Sequence, residues 1–295
     1  MPRVAVLGSA NMDLVVRQPH AVRPGETIFG TSFSTGAGGK GLNQAIAAAR
    51  AGADVTFIGA VGRDEFGARL RQRLVDDGVD VAALRSVEEA TGIAAITVTD
   101  DGENSIVVVP GANGYAGFTE ADAAAVAASA YLVVQLERPE ALLRAAMRFA
   151  RDRGVTTVLT PAPAREGIDD LVALADVLVP NEHEAAQLSG ESDTDEAARV
   201  LSRTGGTVVV TRGARGAIVA RAGEIVHRVA AHSATAVDTT GAGDTFTGVL
   251  VAWLAGGATW PDALDAAAAG AALAVGRAGA SDAAPTKAEV VAALG

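Results

Sequence analysis

The chain alternates short apolar runs with longer, alanine-rich amphipathic runs, and this rhythm most constrains how it can fold. Six apolar runs lack polar alternation, as expected of strands buried on both faces: Val4–Leu7, Val55–Ala60, Leu132–Gln135, Thr156–Leu159, Val177–Val179 and Thr207–Thr211. Six helix candidates lie between them: Gly41–Ala51, Glu65–Asp77, Glu120–Ala128, Glu140–Asp152, Asn181–Leu188 and Asp195–Arg203. This order predicts an α/β fold with a mostly parallel sheet covered by helices on both faces.

Two segments interrupt this rhythm and predict a second, smaller unit. Residues 11–35 show no helix pattern, and residues 91–110 form a hairpin pattern rich in β-branched residues, with Asp101-Gly102 at its turn. We expect both segments to form a β-sheet lid over the carboxyl ends of the parallel strands, where α/β proteins bind ligands. The main domain then comprises residues 1–10, 36–90 and 111–295.

The composition excludes several classes of function. With 24 Lys and Arg against 35 Asp and Glu, the net charge is −11, and no basic stripe is present, so we expect no nucleic-acid partner. The absence of Cys excludes disulfides and thiolate catalysis, and the four His residues lack metal-ligand spacing. The apolar N-terminal run is too short for a signal peptide, and no stretch reaches the roughly 20 residues of a membrane helix. We therefore expect a cytoplasmic protein without a membrane partner.

The run Asp238-Thr239-Thr240-Gly241-Ala242-Gly243-Asp244 is the strongest local signal, and it leads directly into the apolar, helix-like run Phe246–Leu254. A glycine-rich turn at the start of a helix directs backbone N–H groups at an anion and lets a phosphate approach closely. A carboxylate at that place repels phosphate, but it is useful if it takes a proton from an attacking hydroxyl. This predicts a general base at Asp244; the alternative is a simple helix N-cap.

A second glycine cluster reads Gly36-Ala37-Gly38-Gly39-Lys40-Gly41-Leu42-Asn43-Gln44 and formally contains GxGxxG. A nicotinamide oxidoreductase is therefore an alternative, although the motif follows the irregular Phe33–Thr35 and not the first strand. A Walker A loop fails because Gly41 stands where Ser or Thr is needed. The remaining interpretations are a clasp for polyol hydroxyls, made by Lys40 and Asn43, or a tight turn with a solvated lysine.

Polar side chains follow three of the predicted strands. Asn11 and Asp13 come after the first strand, Glu137 after the third, and Asn181 and Glu184 after the fifth. Because the carboxyl ends of parallel strands meet at one edge of a sheet, we expect these groups at a common ligand edge. They suit sugar hydroxyls and, for the last pair, water around Mg²⁺. The alternatives are an Asx-turn for the first pair and a capped helix start for the last.

Taken together, these motifs resemble the ribokinase-type carbohydrate kinases, a family that also holds adenosine kinase and fructokinases. GGKGLN and DTTGAGD match its two signatures, and weaker matches fall in the expected order: Gly8–Asp13, Pro24–Thr27, Gly102–Asn104, Gly111–Asn113, Pro161–Ala164 and Pro180–Glu182. The resemblance covers essentially the whole chain. It implies a three-layer α/β/α domain with a mostly parallel central sheet, a small β-sheet lid, and a homodimer in which two lids pair.

The resemblance also implies transfer of the γ-phosphoryl group of ATP to the 5-hydroxyl of D-ribose, with Mg²⁺ and an activating K⁺. Asp244 would be the base, and the amides of Gly241, Ala242 and Gly243 would hold the developing charge. The implied sugar-binding residues are Asn11, Asp13, Gly39, Lys40, Gly41, Asn43 and Glu137. The implied ATP-binding residues are Asn181, Thr211, Gly213, Gly216, Gly243 and Ala268. Glu184 would act through the water shell of Mg²⁺, and the implied K⁺ ligands are Asp238, Thr240, Ala274, Arg277, Gly279 and Ala283.

Three positions depart from the usual pattern of the family. Thr160 replaces a frequent Asn, Ala283 replaces a frequent Ser of the potassium loop, and Ala268 replaces a larger polar residue near the expected adenine position. Three other functions stay open: the same chemistry on a nucleoside, deoxyribose or a ketohexose, a non-catalytic sugar-binding protein on this fold, and the nicotinamide oxidoreductase. The intact Asp244 favours a kinase, because a protein that only binds sugar needs no base there.

Overall fold

All six predicted strands and all six predicted helices are present in the computed structural model, which describes residues 3–203 and 206–295. The strands are β1 Arg3–Leu7, β2 Asn11–Gln18, β3 Ser32–Gly38, β4 Asp54–Gly62, β5 Leu84–Val87, β6 Gly92–Thr99, β7 Asn104–Val109, β8 Ser129–Gln135, β9 Thr156–Thr160, β10 Val177–Leu178, β11 Thr207–Thr211, β12 Ala217–Arg221 and β13 Glu224–Val229. The helices are α1 Lys40–Arg50, α2 Glu65–Asp76, α3 Glu120–Ala127, α4 Glu140–Asp152, α5 Asp169–Val172, α6 Glu182–Ser189, α7 Thr194–Ser202, α8 Ala242–Ala255, α9 Trp260–Val275 and α10 Lys287–Leu294. Residues 1, 2, 204 and 205, which the sequence assigns to the main domain, lie outside the described residues. None of the helices in the described ranges is long and apolar enough to cross a membrane.

The large sheet of the described chain has the strand order β13-β12-β11-β10-β9-β8-β1-β4-β5. The strands from β11 to β5 run parallel, and the β12–β13 hairpin adds two antiparallel strands at one edge. The predicted mostly parallel sheet is therefore confirmed. The sequence analysis did not predict β5, β12 and β13. Strands β5 and β13 are edge strands that carry exposed polar residues, whereas β12 lies between β11 and β13 and is mostly buried.

Alternate residues of the parallel strands enter two separate hydrophobic cores. On β1, Val4 and Val6 belong to the core that also holds residues of α1, α8 and α9, whereas Ala5 and Leu7 belong to the core that also holds residues of α4, α6 and α7. All four side chains are fully buried, and burial of a large aliphatic side chain contributes roughly 1.5–3 kcal/mol. The result is the expected three-layer α/β/α arrangement, in which the strands show no polar alternation because both faces are covered.

The small sheet has the order β3-β2-β6-β7 and is built from the two segments that interrupt the α/β rhythm. Its outer pairs are antiparallel, and the central pair β2–β6 is parallel. Strand β3 continues to Gly38, three residues past the predicted boundary at 35, because residues 36–38 pair with residues 11–13. The second glycine signature therefore begins in the small sheet and ends in α1, so it joins the two units.

Candidate active site

The candidate site lies where the order of the large sheet reverses. Strand β1 is central, and the chain places β4 on one side of it and β8 on the other. Helices that leave such a switch point in opposite directions open a crevice at the carboxyl ends of the two strands. Ser9 and Asn11 follow β1 at this edge, and Glu137 follows β8.

The N-terminus of α1 packs directly against the end of β1. A Cβ atom on Gly41 would lie 2.5 Å from the Cα of Gly8, so the close approach requires glycine. The Glu137 carboxylate accepts hydrogen bonds from the Ser9 hydroxyl and, at 3.1 Å, from the Lys40 backbone N–H. Glu137 thus sits at the positive end of the α1 dipole, where a negative charge is stabilised.

Asp244 lies at the start of α8 and is nearly inaccessible, with 8% of its surface exposed. Gly241, with φ of 74°, is the residue that caps this helix, and no side chain caps it. The Asp244 carboxylate instead accepts hydrogen bonds across to α1, from Asn43 Nδ2 at 3.1 Å and from Gln44 Nε2 at 2.8 Å. The alternative interpretation of Asp244 as a simple N-cap is therefore wrong.

One lysine stands among several carboxylates. Burial raises the pKa of the Asp244 carboxyl, while the Lys40 charge and the amides of Gln44 and Asn43 act to lower it. Burial acts to lower the pKa of Lys40, but the charges of Asp244, Glu137 and Glu184 raise that pKa overall. Lys40 therefore stays protonated and supplies the positive charge at the site.

Asn11 and Asp13 lie on β2, so the Asx-turn alternative is wrong. Asn11 Oδ1 accepts a hydrogen bond from Asn113 Nδ2 at 2.7 Å, and Asn113 is itself held by the backbone of residue 10. Asp13 lies beside Gly38, where a Cβ atom would come within 2.2 Å of its Oδ2 atom. Burial, and then the charge of Glu137, raise the pKa of Asp13 to about 6.

A cavity of about 600 Å³ opens beside the N-terminus of α8. Five of the six residues expected at ATP line it: Thr211, Gly213, Gly216, Gly243 and Ala268. Asn181 does not line it, because its side chain forms a capping box at the start of α6 together with Glu184. Gly243 borders the cavity and directly precedes Asp244, so the cavity ends next to the buried carboxylate.

A second cavity of about 330 Å³ lies between the two sheets. Glu137 lines it from the main body, and Asn11 and Val108 line it from the small sheet. Asp13, Lys40 and Asn43 do not line this cavity. The small sheet therefore covers part of the polar edge, as the lid prediction requires.

Five of the six residues expected around K⁺ lie on two loops that Asp238 joins, and Ala274 lies in the last turn of α9. Its Oδ1 atom accepts from the Thr240 N–H at 2.9 Å, and its Oδ2 atom accepts from the Gly279 N–H at 3.0 Å. The Ala274 carbonyl accepts the Arg277 N–H at 3.0 Å, and the Arg277 guanidinium pairs with Glu289 on α10. Ala283 is fully buried and offers its backbone carbonyl alone.

Several buried polar residues of the site were missed by the sequence reasoning: Ser9, Gln44, Asn113, Gln135 and Thr160. Gln44 stands inside the second glycine signature, next to the predicted Asn43, while Ser9 and Asn113 stand only in the weaker matches Gly8–Asp13 and Gly111–Asn113. These residues bond to partners about a hundred residues away, such as Asn113 to the backbone of residue 10. Local sequence patterns hold no information on contacts at that separation.

The model of the pfkB family carbohydrate kinases matches residues 1–287. The chain belongs to this family. The family comprises phosphotransferases, and the predicted enzyme class, a kinase with a sugar acceptor, is thereby confirmed.

Individual pfkB relatives match over nearly the full chain. Ribokinase of Haemophilus influenzae is 39% identical over 297 residues, which is 98% of this chain and 97% of the relative. Deoxyribokinase of Salmonella typhi is 35% identical over 255 residues, 83% of each chain. The structure of Arabidopsis thaliana ribokinase, complexed with ribose and ATP, superposes with a TM-score of 0.94 at 32% identity, covering 99% of this chain and 98% of that chain. The predicted fold, with its small lid sheet, is confirmed.

Proposed function

We propose that this chain transfers the γ-phosphoryl group of ATP to the 5-hydroxyl of D-ribose, giving ribose 5-phosphate and ADP. The observation that best supports this is the position of Asp244. It is a buried carboxylate at the end of a nucleotide-sized cavity, bonded on its other side to Asn43 of the glycine clasp. The full-length similarity to ribokinases supports ribose as the acceptor.

In the proposed reaction, Asp244 accepts the proton of the 5-hydroxyl as the 5-oxygen bonds to the γ-phosphorus. The bond between that phosphorus and the bridging oxygen breaks, and ADP leaves with the electron pair. The backbone amides of Gly241, Ala242 and Gly243 lie at the start of α8, where they stabilise the charge that develops on the phosphoryl oxygens. The enzyme mainly positions and neutralises the reactants, as phosphoryl transfer requires.

The polar edge supplies the groups that would hold the sugar. Asn43 Oδ1 is buried and has no hydrogen-bond partner among the described residues, so a sugar hydroxyl would satisfy it. The carboxylates of Asp13 and Glu137 supply acceptors, and Lys40 supplies a donor. The proposed set is Asn11, Asp13, Gly39, Lys40, Gly41, Asn43 and Glu137.

The groups expected at the two ions have the oxygen donors that hard cations prefer. The capping box uses Oε2 of Glu184, and the charge of this carboxylate acts on Lys40 and Asp244, which supports the proposal that Glu184 holds a Mg²⁺ water. Bound Mg²⁺ would neutralise phosphate charge. The loops joined by Asp238 offer a carboxylate and backbone carbonyls to K⁺. Ala283 lacks the hydroxyl of the Ser that is frequent at this position, but it keeps a backbone carbonyl.

We further propose that two copies pair through the small sheet. Strand β7 is an edge strand, and Ile106, Val107, Val108 and Val109 are 47–64% exposed in succession, so both of its faces are bare. A long apolar edge of this kind is usually covered. The chain offers the same edge in a second copy, which gives a closed, two-fold pairing. The cytoplasmic location remains a prediction.

The test is ADP release from Mg-ATP with ribose, deoxyribose, fructose, adenosine and pseudouridine, with and without K⁺. We expect turnover on ribose that K⁺ stimulates. Turnover on deoxyribose alone would support the phosphoryl transfer but show that the acceptor is deoxyribose. The similarity to a deoxyribokinase is the reason to include this sugar. No turnover on any acceptor by a folded, ATP-binding protein would contradict the proposal.

A further inference from the structure

We propose that Gln44 is a positioning residue that keeps Asp244 ionised and aligned, and that buried Gln135 fixes the Gln44 amide the right way round for this task. The inference rests on the proposed role of Asp244 as the base. It goes beyond that role, because it assigns a function to two glutamines that need not contact sugar or nucleotide.

The glutamines form a continuous chain of buried hydrogen bonds that ends at the base. Gln135 Nε2 donates to Gln44 Oε1 at 2.6 Å, and Gln44 Nε2 donates to Asp244 Oδ1 at 2.8 Å. The same Gln44 nitrogen lies 3.3 Å from Thr160 Oγ1. Gln44 is 1% exposed and Gln135 is fully buried, so water does not compete for these bonds.

The chain of hydrogen bonds has a direction, and the direction matters for the chemistry. An amide turned by 180° presents its oxygen where its nitrogen was. With that turn, Gln44 would face the Asp244 carboxylate with an oxygen, and the two would repel. Because Gln44 Oε1 receives the Gln135 N–H, its NH₂ group faces Asp244. Gln135 thus acts as a lock on the orientation of Gln44 through its Nε2 atom, while its own Oε1 atom has no hydrogen-bond partner among the described residues.

The fold makes room for this lock at the reversal point of the sheet. Gln135 ends β8, next to the end of β1. A Cβ atom on Gly8 would lie 2.3 Å from Gln135 Oε1, so glycine at this position lets the glutamine keep its place beside β1. Gly8 also contacts Gly41 at the start of α1, the helix that carries Gln44. The same close approach therefore sets the position of both glutamines.

Asn43 and Gln44 are neighbours that serve the two oxygens of Asp244 differently. Asn43 Nδ2 donates to Oδ2 at 3.1 Å, but Asn43 Oδ1 has no partner among the described residues. Asn43 is therefore left with an acceptor for a ligand, whereas both ends of the Gln44 amide are bonded to protein. The protein therefore fixes the partner of Asp244 Oδ1, whereas the partner of Asp244 Oδ2, Asn43, can also bond to the sugar.

The expected consequence is electrostatic. Burial raises the pKa of Asp244. The Lys40 charge and the hydrogen bonds from Gln44 and Asn43 oppose that rise, and the Glu137 charge adds to it. Without the Gln44 amide, more of Asp244 is protonated at a given pH and unable to accept a proton. The acid limb of the pH profile of kcat/KM then moves to higher pH. At a fixed pH below the new limb, kcat/KM is about tenfold lower for every pH unit by which the limb has moved.

The experiment compares pH profiles of the wild type and Gln44→Met, which keeps the side-chain length and removes the amide. We expect the acid limb to move upward, the activity to recover as the pH rises above the new limb, and KM for ribose to change much less than kcat. Gln72→Met is the matched control, since Gln72 also donates to an aspartate, Asp76 at 2.8 Å, but on the exposed side of α2. It is expected to keep the wild-type profile.

Gln135→Met is a second variant, which keeps Gln44 but removes the hydrogen bond that fixes its amide. We expect it to shift the acid limb in the same direction as Gln44→Met does, but by a smaller amount. It also covers the case in which Gln44→Met does not fold. An unmoved acid limb in the folded variants, or a loss that is equal at every pH, would overturn the proposal. Absence of wild-type turnover would instead contradict the proposed function, so the two failures are distinguishable.

Discussion

At the scale of single residues, Asp244 is the group on which the proposed chemistry depends. Asp244→Asn keeps the size of the side chain but removes the proton acceptor, and it replaces one of the two oxygens that accept from Asn43 and Gln44 with a donor. We expect kcat to fall by roughly 10²–10⁴-fold, the usual effect of losing a general base, while ribose binding persists. Single-turnover kinetics and ribose calorimetry would measure the two effects. Near-normal turnover of the variant would show that Asp244 is not the base.

Asp13 predicts an effect on stability with a definite sign. Its pKa rises from 3.8 in the unfolded chain to about 6 in the folded protein, so the folded state binds the proton more tightly. The free energy of unfolding therefore falls as pH rises between these values, and the whole cost of the buried charge is present above them. We expect Asp13→Asn to raise Tm at pH 7.5 and to have much less effect at pH 4, with weaker ribose binding.

The control for this prediction is Asp101→Asn on the same small sheet. Hydrogen bonds from Thr99 and from the backbone of residue 103 lower the pKa of Asp101, so its charge stabilises the folded state and its loss is not expected to raise Tm. Thermal unfolding at both pH values would measure the contrast. An unchanged or lower Tm of Asp13→Asn at pH 7.5 would contradict the account of Asp13.

Residues of the site differed in how well the sequence revealed them. Asp244, Lys40 and Asn43 stand in glycine-rich signatures whose chemistry can be reasoned from local spacing. Gln135 stands in no motif and Asn113 only in the weak match Gly111–Asn113, and their roles come from partners that only the folded chain brings near. Asn181 was expected at the nucleotide, but the structure shows it first as a helix cap.

At the scale of elements, variants at the start of α6 can distinguish a structural role in capping the helix from a functional role at Mg²⁺. Asn181 Oδ1 accepts the Glu184 N–H at 2.8 Å, and Glu184 Oε2 accepts the Asn181 N–H at 2.8 Å. Asn181→Ala removes the cap and is expected to destabilise the protein by about 1 kcal/mol. Glu184→Gln retains an acceptor for the cap and removes the charge.

If Glu184 holds a Mg²⁺ water, Glu184→Gln is expected to raise the Mg²⁺ concentration needed for half-maximal turnover while Tm stays close to that of the wild type. A Mg²⁺ titration of activity beside thermal unfolding would measure this. An unchanged titration curve would assign Glu184 to the capping box alone.

Elements were predictable where their pattern is local. The buried parallel strands and amphipathic helices follow from periodicity, and the lid hairpin follows from β-branched runs around a turn. Helix α9 was not predicted, because alanine covers most of its faces and leaves no apolar stripe with helical spacing. The central place of β1 was also not predictable, since it depends on pairing with strands about 50 and 130 residues away along the chain.

At the scale of the whole molecule, the bare edge of the small sheet predicts assembly. Val107 lies in the middle of β7 and is 64% exposed, so Val107→Asp places a charge in the proposed interface. We expect the wild type to be a dimer at micromolar concentration in light scattering and this variant to be a monomer. Val291→Asp on α10, where Val291 is 51% exposed, is the matched control and is expected to remain dimeric. A monomeric wild type would contradict the pairing.

The central claim is that this chain moves a phosphoryl group from ATP to the 5-hydroxyl of ribose with Asp244 as the base. Phosphorus NMR of the purified protein with Mg-ATP, K⁺ and ribose tests it most directly, because it identifies the product. We predict one ribose 5-phosphate for each ADP with the wild type, and almost none with Asp244→Asn in the same time. ADP with free phosphate and no sugar ester, an ester at another hydroxyl, or equal product from both proteins would contradict the claim.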